Sequence, residues 1–148
     1  MAAKKENPAK IYLGEVEKLD IKISQKCMLL SELRSKRFNV QAVDFSKEKV
    51  KGSIKNNFNS LSDKLLDLEN EINKDIDMFY DMKNKIINQI QQLEKKEYVE
   101  ILHKKYIEYN MYPTLEHIAV SLGEKGKSWR HTARLHGEAL ESFRKKFL

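Results

Sequence analysis

Ser128-Trp129-Arg130-His131-Thr132-Ala133-Arg134-Leu135-His136-Gly137 is the stretch whose reading decides the C-terminal fold. Ser128 is a favoured N-cap, because its hydroxyl can accept from an amide left free in the first turn of a helix. Beyond it Thr132, Leu135, Ala139, Leu140 and Phe143 recur at three- and four-residue spacing, which gives one side of a helix an apolar stripe. Trp129, Arg130, His131, Ala133 and Arg134 fall outward on its first turns. The tail Arg144-Lys145-Lys146 complements the negative end of the helix dipole.

Two shorter helical patterns lead into this stretch. Tyr98, Ile101, Leu102, Lys105, Tyr106 and Tyr109 predict a helix over 95–109, stopped by Asn110-Met111-Tyr112-Pro113. Thr114 then caps a short helix carrying Leu115, Ile118, Ala119 and Leu122, with Gly123 as its stop. Glu124-Lys125-Gly126-Lys127 is the turn before Ser128. A short helix, a turn and a capped helix with a basic leading face is the sequence form of a helix-turn-helix, whose last helix enters the major groove of DNA.

Upstream the pattern is that of long helices. Asn7 caps and Pro8 opens a helix expected over 9–37. Its seam is Tyr12, Val16, Leu19, Ile23, Lys26, Leu30 and Leu33, alternately four and three apart, with a charge at Lys26. From Phe38 to Asn59 the pattern breaks, and this segment reads as a connector with a bend at Lys51-Gly52-Ser53 and a short helical turn near 46–51. The second seam is Leu61, Leu65, Leu68, Ile72, Asp75, Phe79, Met82, Ile86, Gln89 and Leu93, widened by Leu66, Ile76, Ile87 and Ile90 and capped by Ser60 or Ser62. A helix of about 35 residues is roughly 50 Å long, too long for a small domain to cover, so it must pair with the first helix, a second copy, or both. No Gly or Pro marks an end directly after Leu93, so a run into the next helix with little interruption is expected.

Charge follows this division. Residues 1–60 carry 13 Lys/Arg against 7 Asp/Glu, residues 61–93 carry 4 against 7, and residues 94–148 carry 11 against 8. An acidic second helix between basic flanks favours antiparallel pairing with the first. The net charge of +6 permits nucleic acid as a partner without requiring it. The single cysteine, Cys27, excludes an intramolecular disulfide and is expected as a small apolar filler in the first helix. No run of 18 apolar residues is present and the start has no apolar leader core, so a soluble, cytoplasmic protein with no membrane partner is expected.

The sequence offers no catalytic motif. His103, His117, His131 and His136 lack the i, i+4 zinc spacing and have no Cys pair beside them. A Gly-rich phosphate loop and a nucleophile motif are both missing, so neither an enzyme nor a cofactor is expected. The candidate site is instead a DNA surface: Arg130, His131 and Arg134 for base edges, Trp129 in a packing or stacking role, and Lys125, Lys127 and Ser128 for phosphates.

Tyr106-Ile107-Glu108, Leu115-Glu116-His117-Ile118-Ala119, Leu122-Gly123 and Ser128 through Leu140 resemble the region-four domain of bacterial sigma factors. They more closely resemble the phage and prophage regulators of the ArpU type, which join an N-terminal helical region to such a domain. Glu48-Lys49-Val50-Lys51-Gly52-Ser53, Asp63-Lys64-Leu65 and Leu68-Glu69-Asn70-Glu71-Ile72 are similar to that family's middle section. The resemblance implies a transcriptional regulator of phage or mobile-element genes that binds promoter DNA, with RNA polymerase as a further partner. Two features depart from the family pattern: the loop 109–113 and the turn 124–127 are both longer.

The expected architecture is all-α: a long helical hairpin and oligomerisation region over 1–94, then a helix-turn-helix domain over 95–148. Double-stranded DNA is the expected partner, with a homodimer or higher homo-oligomer formed through the long helices. Two alternatives stay open. One is a small terminase-like DNA-packaging subunit, although such subunits place the DNA-binding part N-terminally. The other is a coiled-coil adaptor that binds protein and no DNA.

Overall fold

In the computed structural model, residues 6–44, 51–122 and 128–148 are described, those of 41–44 and 51–58 by backbone alone. The described chain is all-α, in the order α1 (Pro8–Asp44), α2 (Lys51–Gln91), α3 (Lys96–Tyr106), α4 (Leu115–Ser121) and α5 (Trp129–Phe147). Among the described residues, no helix is long and apolar enough to cross a membrane.

The start of α1 follows its sequence signals. Asn7 Oδ1 accepts from the Ala9 amide at 2.9 Å, and the Asn7 carbonyl accepts from Lys10 at 2.9 Å. The expected connector is much shorter than 38–59. Helix α1 continues to Asp44 and α2 already begins at Lys51, so the bend expected at Lys51-Gly52-Ser53 is the first turn of a helix. Ser60 and Ser62 therefore lie inside α2 rather than capping it. The absence of an apolar stripe from this segment hides the helix at the level of sequence. Lys, Asn and Gln are nonetheless tolerable helix formers, and one Gly costs only about 1 kcal/mol relative to Ala. The turn expected near 46–51 lies almost wholly outside the described residues.

Helix α2 stops at Gln91 and does not run into α3. Gln92 and Leu93 donate back to Gln89 and Ile90 in short three-residue bonds, at 3.1 Å each, and this last turn tucks Leu93 into the core. Helix α3 ends at Tyr106, short of the expected Tyr109. The His103 carbonyl accepts from both Ile107 and Glu108 at 2.9 Å, while His103 Nδ1 contacts Glu108 Oε2 at 2.9 Å. That shared acceptor closes the helix before the Pro113 segment begins.

The chain packs as two compact units, Met1–Lys18 with Phe79–Leu148, and Leu19–Met78. In the second unit α1 and α2 run antiparallel, with Lys26 against Asp75 and Arg34 against Glu69. Leu30, Leu65, Leu68 and Ile72 form its apolar centre, with Leu33 and Ile76 against them. Leu66, expected to widen the stripe, is exposed, and so is Cys27. Cys27 follows Lys26 by one residue, and the 100° step between neighbours turns it off the seam.

In the other unit α3, α4 and α5 pack mutually, and their core takes in Ala9, Leu13 and Val16 of α1 and Ile86 and Ile90 of α2. Packing thus extends past the expected 94/95 boundary for a geometric reason. Helix α5 has 19 residues, against 11 in α3 and 7 in α4, so its far end overhangs its neighbours. Phe143, fully buried on that end, meets the Tyr12 ring at 5.8 Å and the Phe147 ring at 4.8 Å. Tyr12 is held in turn by donating to Gln89 Oε1 at 2.7 Å.

Candidate nucleic-acid interface

The leading turn of α5 is built as its sequence requires. Ser128 is extended, with φ −65° and ψ 161°, and its hydroxyl accepts from the His131 amide at 3.2 Å. The Ser128 carbonyl takes both the Thr132 amide at 3.0 Å and the Thr132 hydroxyl at 3.1 Å. Thr114 caps α4 in the same manner, accepting from the His117 amide at 3.4 Å and contacting His117 Nδ1 at 2.6 Å.

Helix α5 buries Thr132, Leu135, His136, Ala139, Leu140 and Phe143, which is the expected stripe with His136 added. His136 sits four residues from both Thr132 and Leu140, so helical spacing places it on the same side. Its Nε2 lies 2.8 Å from the Tyr106 hydroxyl of α3, and the two rings stack at 5.6 Å. Burial, with the nearby Lys105 and Lys10 ammonium groups, pushes the imidazole down to about 4. His136 is therefore neutral at pH 7. Burial also drives the Tyr106 hydroxyl far above its ordinary range, so the intact phenol donates to an unprotonated ring nitrogen. This bond fixes the rotation of α5 against α3, and with it the direction of the outward face.

On that face Arg130 and Arg134 are exposed and Trp129 is 53% exposed, whereas His131 and Ala133 are half-buried. Trp129 thus stands out from the helix start rather than packing on α4. Lys125 and Lys127, the expected phosphate contacts, lie outside the described residues, as do Gly123 and the rest of the turn 124–127. Of the remaining candidates, Ser128, Trp129, Arg130 and Arg134 are brought together at one end of α5.

The positive charge on the first two turns of the outward face is interrupted before it returns at Arg144, Lys145 and Lys146 in the last turn. Glu138 and Glu141 follow on the same side. Arg134 Nε lies 3.7 Å from Glu138 Oε1, and the Tyr98 hydroxyl donates to Glu138 Oε2 at 3.4 Å. Glu141 is engaged by Arg144, whose Nε donates at 3.0 Å, and this guanidinium holds the carboxyl below its ordinary range. A polyanion laid along α5 would meet attraction at the N-terminal turns, repulsion at Glu138 and Glu141, and attraction again at the basic last turn. The sequence shows these carboxylates plainly, but without α3 in place nothing links Glu138 to Tyr98.

The other histidines have local partners: His103 faces Glu108, and His117 faces Thr114. Among the described residues, no three His, Cys, Asp or Glu side chains gather to hold a metal ion. Lys104 is bound within the unit, to Ser121 at 3.1 Å and Glu100 at 3.2 Å, and lies 5.2 Å over the Tyr112 ring. Comparison with family models, with curated proteins and with solved structures finds no match to this chain.

Proposed function

We propose that this protein is a sequence-specific DNA-binding regulator in which α4 and α5 act as a helix-turn-helix and α5 reads the major groove. One observation carries the reading: a serine-capped helix exposes Trp129, Arg130 and Arg134 on its leading turns while its opposite face is locked into the core. In such a unit the first turns meet base edges and the flanks hold phosphates. Arg130 and Arg134 suit bidentate contacts to guanine. Ser128 stands at the helix start, where a backbone phosphate is favoured. Lys125 and Lys127 are assigned to phosphates by their place in the sequence before Ser128.

The long helices α1 and α2 form a helical hairpin that mediates self-association, and a dimer would present two reading helices to a symmetric site. By the sequence resemblance, the genes controlled belong to a phage or mobile element and RNA polymerase is a second partner, while the single cysteine fits a reducing compartment, the cytoplasm. The exposed Val120 on α4, together with Glu138 and Glu141 on α5, favours one rival, a protein-binding adaptor.

Selection of bound duplexes from random and genomic DNA decides between them. A regulator enriches a defined motif, and its affinity falls steeply with salt. An adaptor enriches none. Enrichment of a motif by rings of many subunits, seen by light scattering, supports a packaging role instead.

A further inference from the structure

The two arginines of the proposed reading face are held differently. Among the described residues Arg130 makes no ion pair, whereas Arg134 faces a carboxylate that has a second anchor. Glu138 divides its two oxygens. Oε1 lies 3.7 Å from Arg134 Nε, and Oε2 accepts from the Tyr98 hydroxyl of α3 at 3.4 Å. The pair within α5 is weak by itself. Its side chains are 72% and 49% exposed, and an arginine that precedes its glutamate stands in the less favourable order at i, i+4. Tyr98 adds a support from outside the helix. Its ring is half-buried against the core of its unit, and Lys95 Nζ lies 5.2 Å over it.

We infer that Tyr98 and Glu138 are positioning residues that commit Arg134 to guanine at one base pair of the bound site, a role that rests on the reading of α5 as a major-groove helix. The guanidinium is a planar fork of N–H donors. A bidentate contact to guanine O6 and N7 can use the side of that fork, Nε with one Nη, or its end, both Nη groups. Glu138 occupies the Nε side, so the end is left for the base. An arginine already held in one geometry gives up less rotamer freedom on binding. Turning it toward a phosphate breaks its contact with Glu138, which itself repels phosphate. The carboxylate therefore contributes discrimination rather than raw affinity. Arg130 has no such brace and can serve either a base or a phosphate.

The test is motif selection on the full chain, read position by position. Arg134→Ala identifies the base pair that Arg134 reads, through a loss there of roughly tenfold or more in preference for guanine. Tyr98→Phe removes a hydroxyl and keeps the packed ring, so the thermal melt should stay put. It should lower the guanine preference at that same base pair by about three- to tenfold and leave every other position unchanged. Glu138→Ala should lower the preference there at least as much, while affinity for all duplexes rises. Adding Tyr98→Phe to Glu138→Ala should change nothing further, because the hydroxyl acts only through the carboxylate.

A Tyr98→Phe chain that selects the wild-type motif at every position overturns the inference and leaves the DNA reading intact. So does a uniform loss across all positions, or a loss that Tyr98→Phe still produces beside Glu138→Ala, since either assigns the hydroxyl to the fold. An Arg134→Ala chain that loses preference at no single base pair overturns it as well. A wild-type chain that enriches no motif overturns the inference together with the proposed function.

Discussion

Lys26 Nζ lies 2.5 Å from Asp75 Oδ2 and 3.1 Å from Glu71 Oε1, so the two charged residues that interrupt otherwise apolar seams are partners. Their side chains are 17% and 11% exposed. The hydrogen bond to Lys26 holds the Asp75 carboxyl below its ordinary range, and the same bond to Asp75 raises the lysine above its own. A one-heptad slip of α1 along α2 would bury both charges among leucines. The pair therefore specifies register, a role in which polar seam residues are well attested.

Removing one partner should cost more than removing both. Asp75→Leu leaves a half-buried ammonium with only the exposed Glu71 as its partner, and thermal melting should fall by several degrees. In the double variant Lys26→Leu with Asp75→Leu, the melting temperature should recover to wild type or above. A double variant less stable than Asp75→Leu alone would show that the pair stabilises the fold rather than its register.

The His136 ring predicts a specific pH profile. Its folded value of about 4 lies below the ordinary 6.5, so the unfolded chain takes up a proton more readily. Stability from this group is complete above about 6.5 and is lost as pH falls toward 4, a change on the order of 3 kcal/mol. Denaturant titrations between pH 7 and 4 measure it. His136→Gln cannot titrate but can still accept from Tyr106, and its profile should be flatter across that window.

Phe143 should be the most sensitive apolar position of α5. It is fully buried between Tyr12 and Phe147, and truncation to Ala should cost about 3–5 kcal/mol. Ser128→Ala removes only a cap bond and should cost about 1 kcal/mol. Urea unfolding followed by circular dichroism ranks the two, and a Ser128→Ala cost equal to that of Phe143→Ala would contradict the burial argument.

The proposed reading face makes a paired prediction. Arg130→Ala with Arg134→Ala should abolish retention of the selected duplex while the thermal melt stays put, since both side chains are exposed. Each lost base contact is worth about 1–3 kcal/mol of discrimination. Glu138→Gln should act the other way. It frees Arg134 and removes a like charge facing phosphate, so affinity for all duplexes should rise and sequence preference should narrow less than affinity grows. Filter binding at two salt concentrations reads both effects, and a melt that collapses in the double Arg variant would reassign those residues to the fold.

Local chemistry determined much of this protein. Asn7, Thr114 and Ser128 each cap a helix, and the stripe Thr132, Leu135, Ala139, Leu140 and Phe143 is buried as its spacing requires. Such features depend on residues within a turn or two of one another. Polar stretches were harder, because a helix without an apolar face leaves no periodic signal; α1 and α2 therefore reach further toward each other than 38–59 suggested.

Tertiary structure decided what joins distant positions. Lys26 and Asp75 are each visible as a seam defect, yet only the antiparallel pairing of α1 and α2 makes one the answer to the other. His136 looks polar and free in the sequence, but the Tyr106 hydroxyl 30 positions away turns it into a neutral core residue. Tyr98 meets Glu138 through the same packing of α3 on α5, so a carboxylate that the sequence pairs only with Arg134 gains a second partner. A side chain's role at such sites depends on its desolvation and its partner, and both are properties of the packed chain.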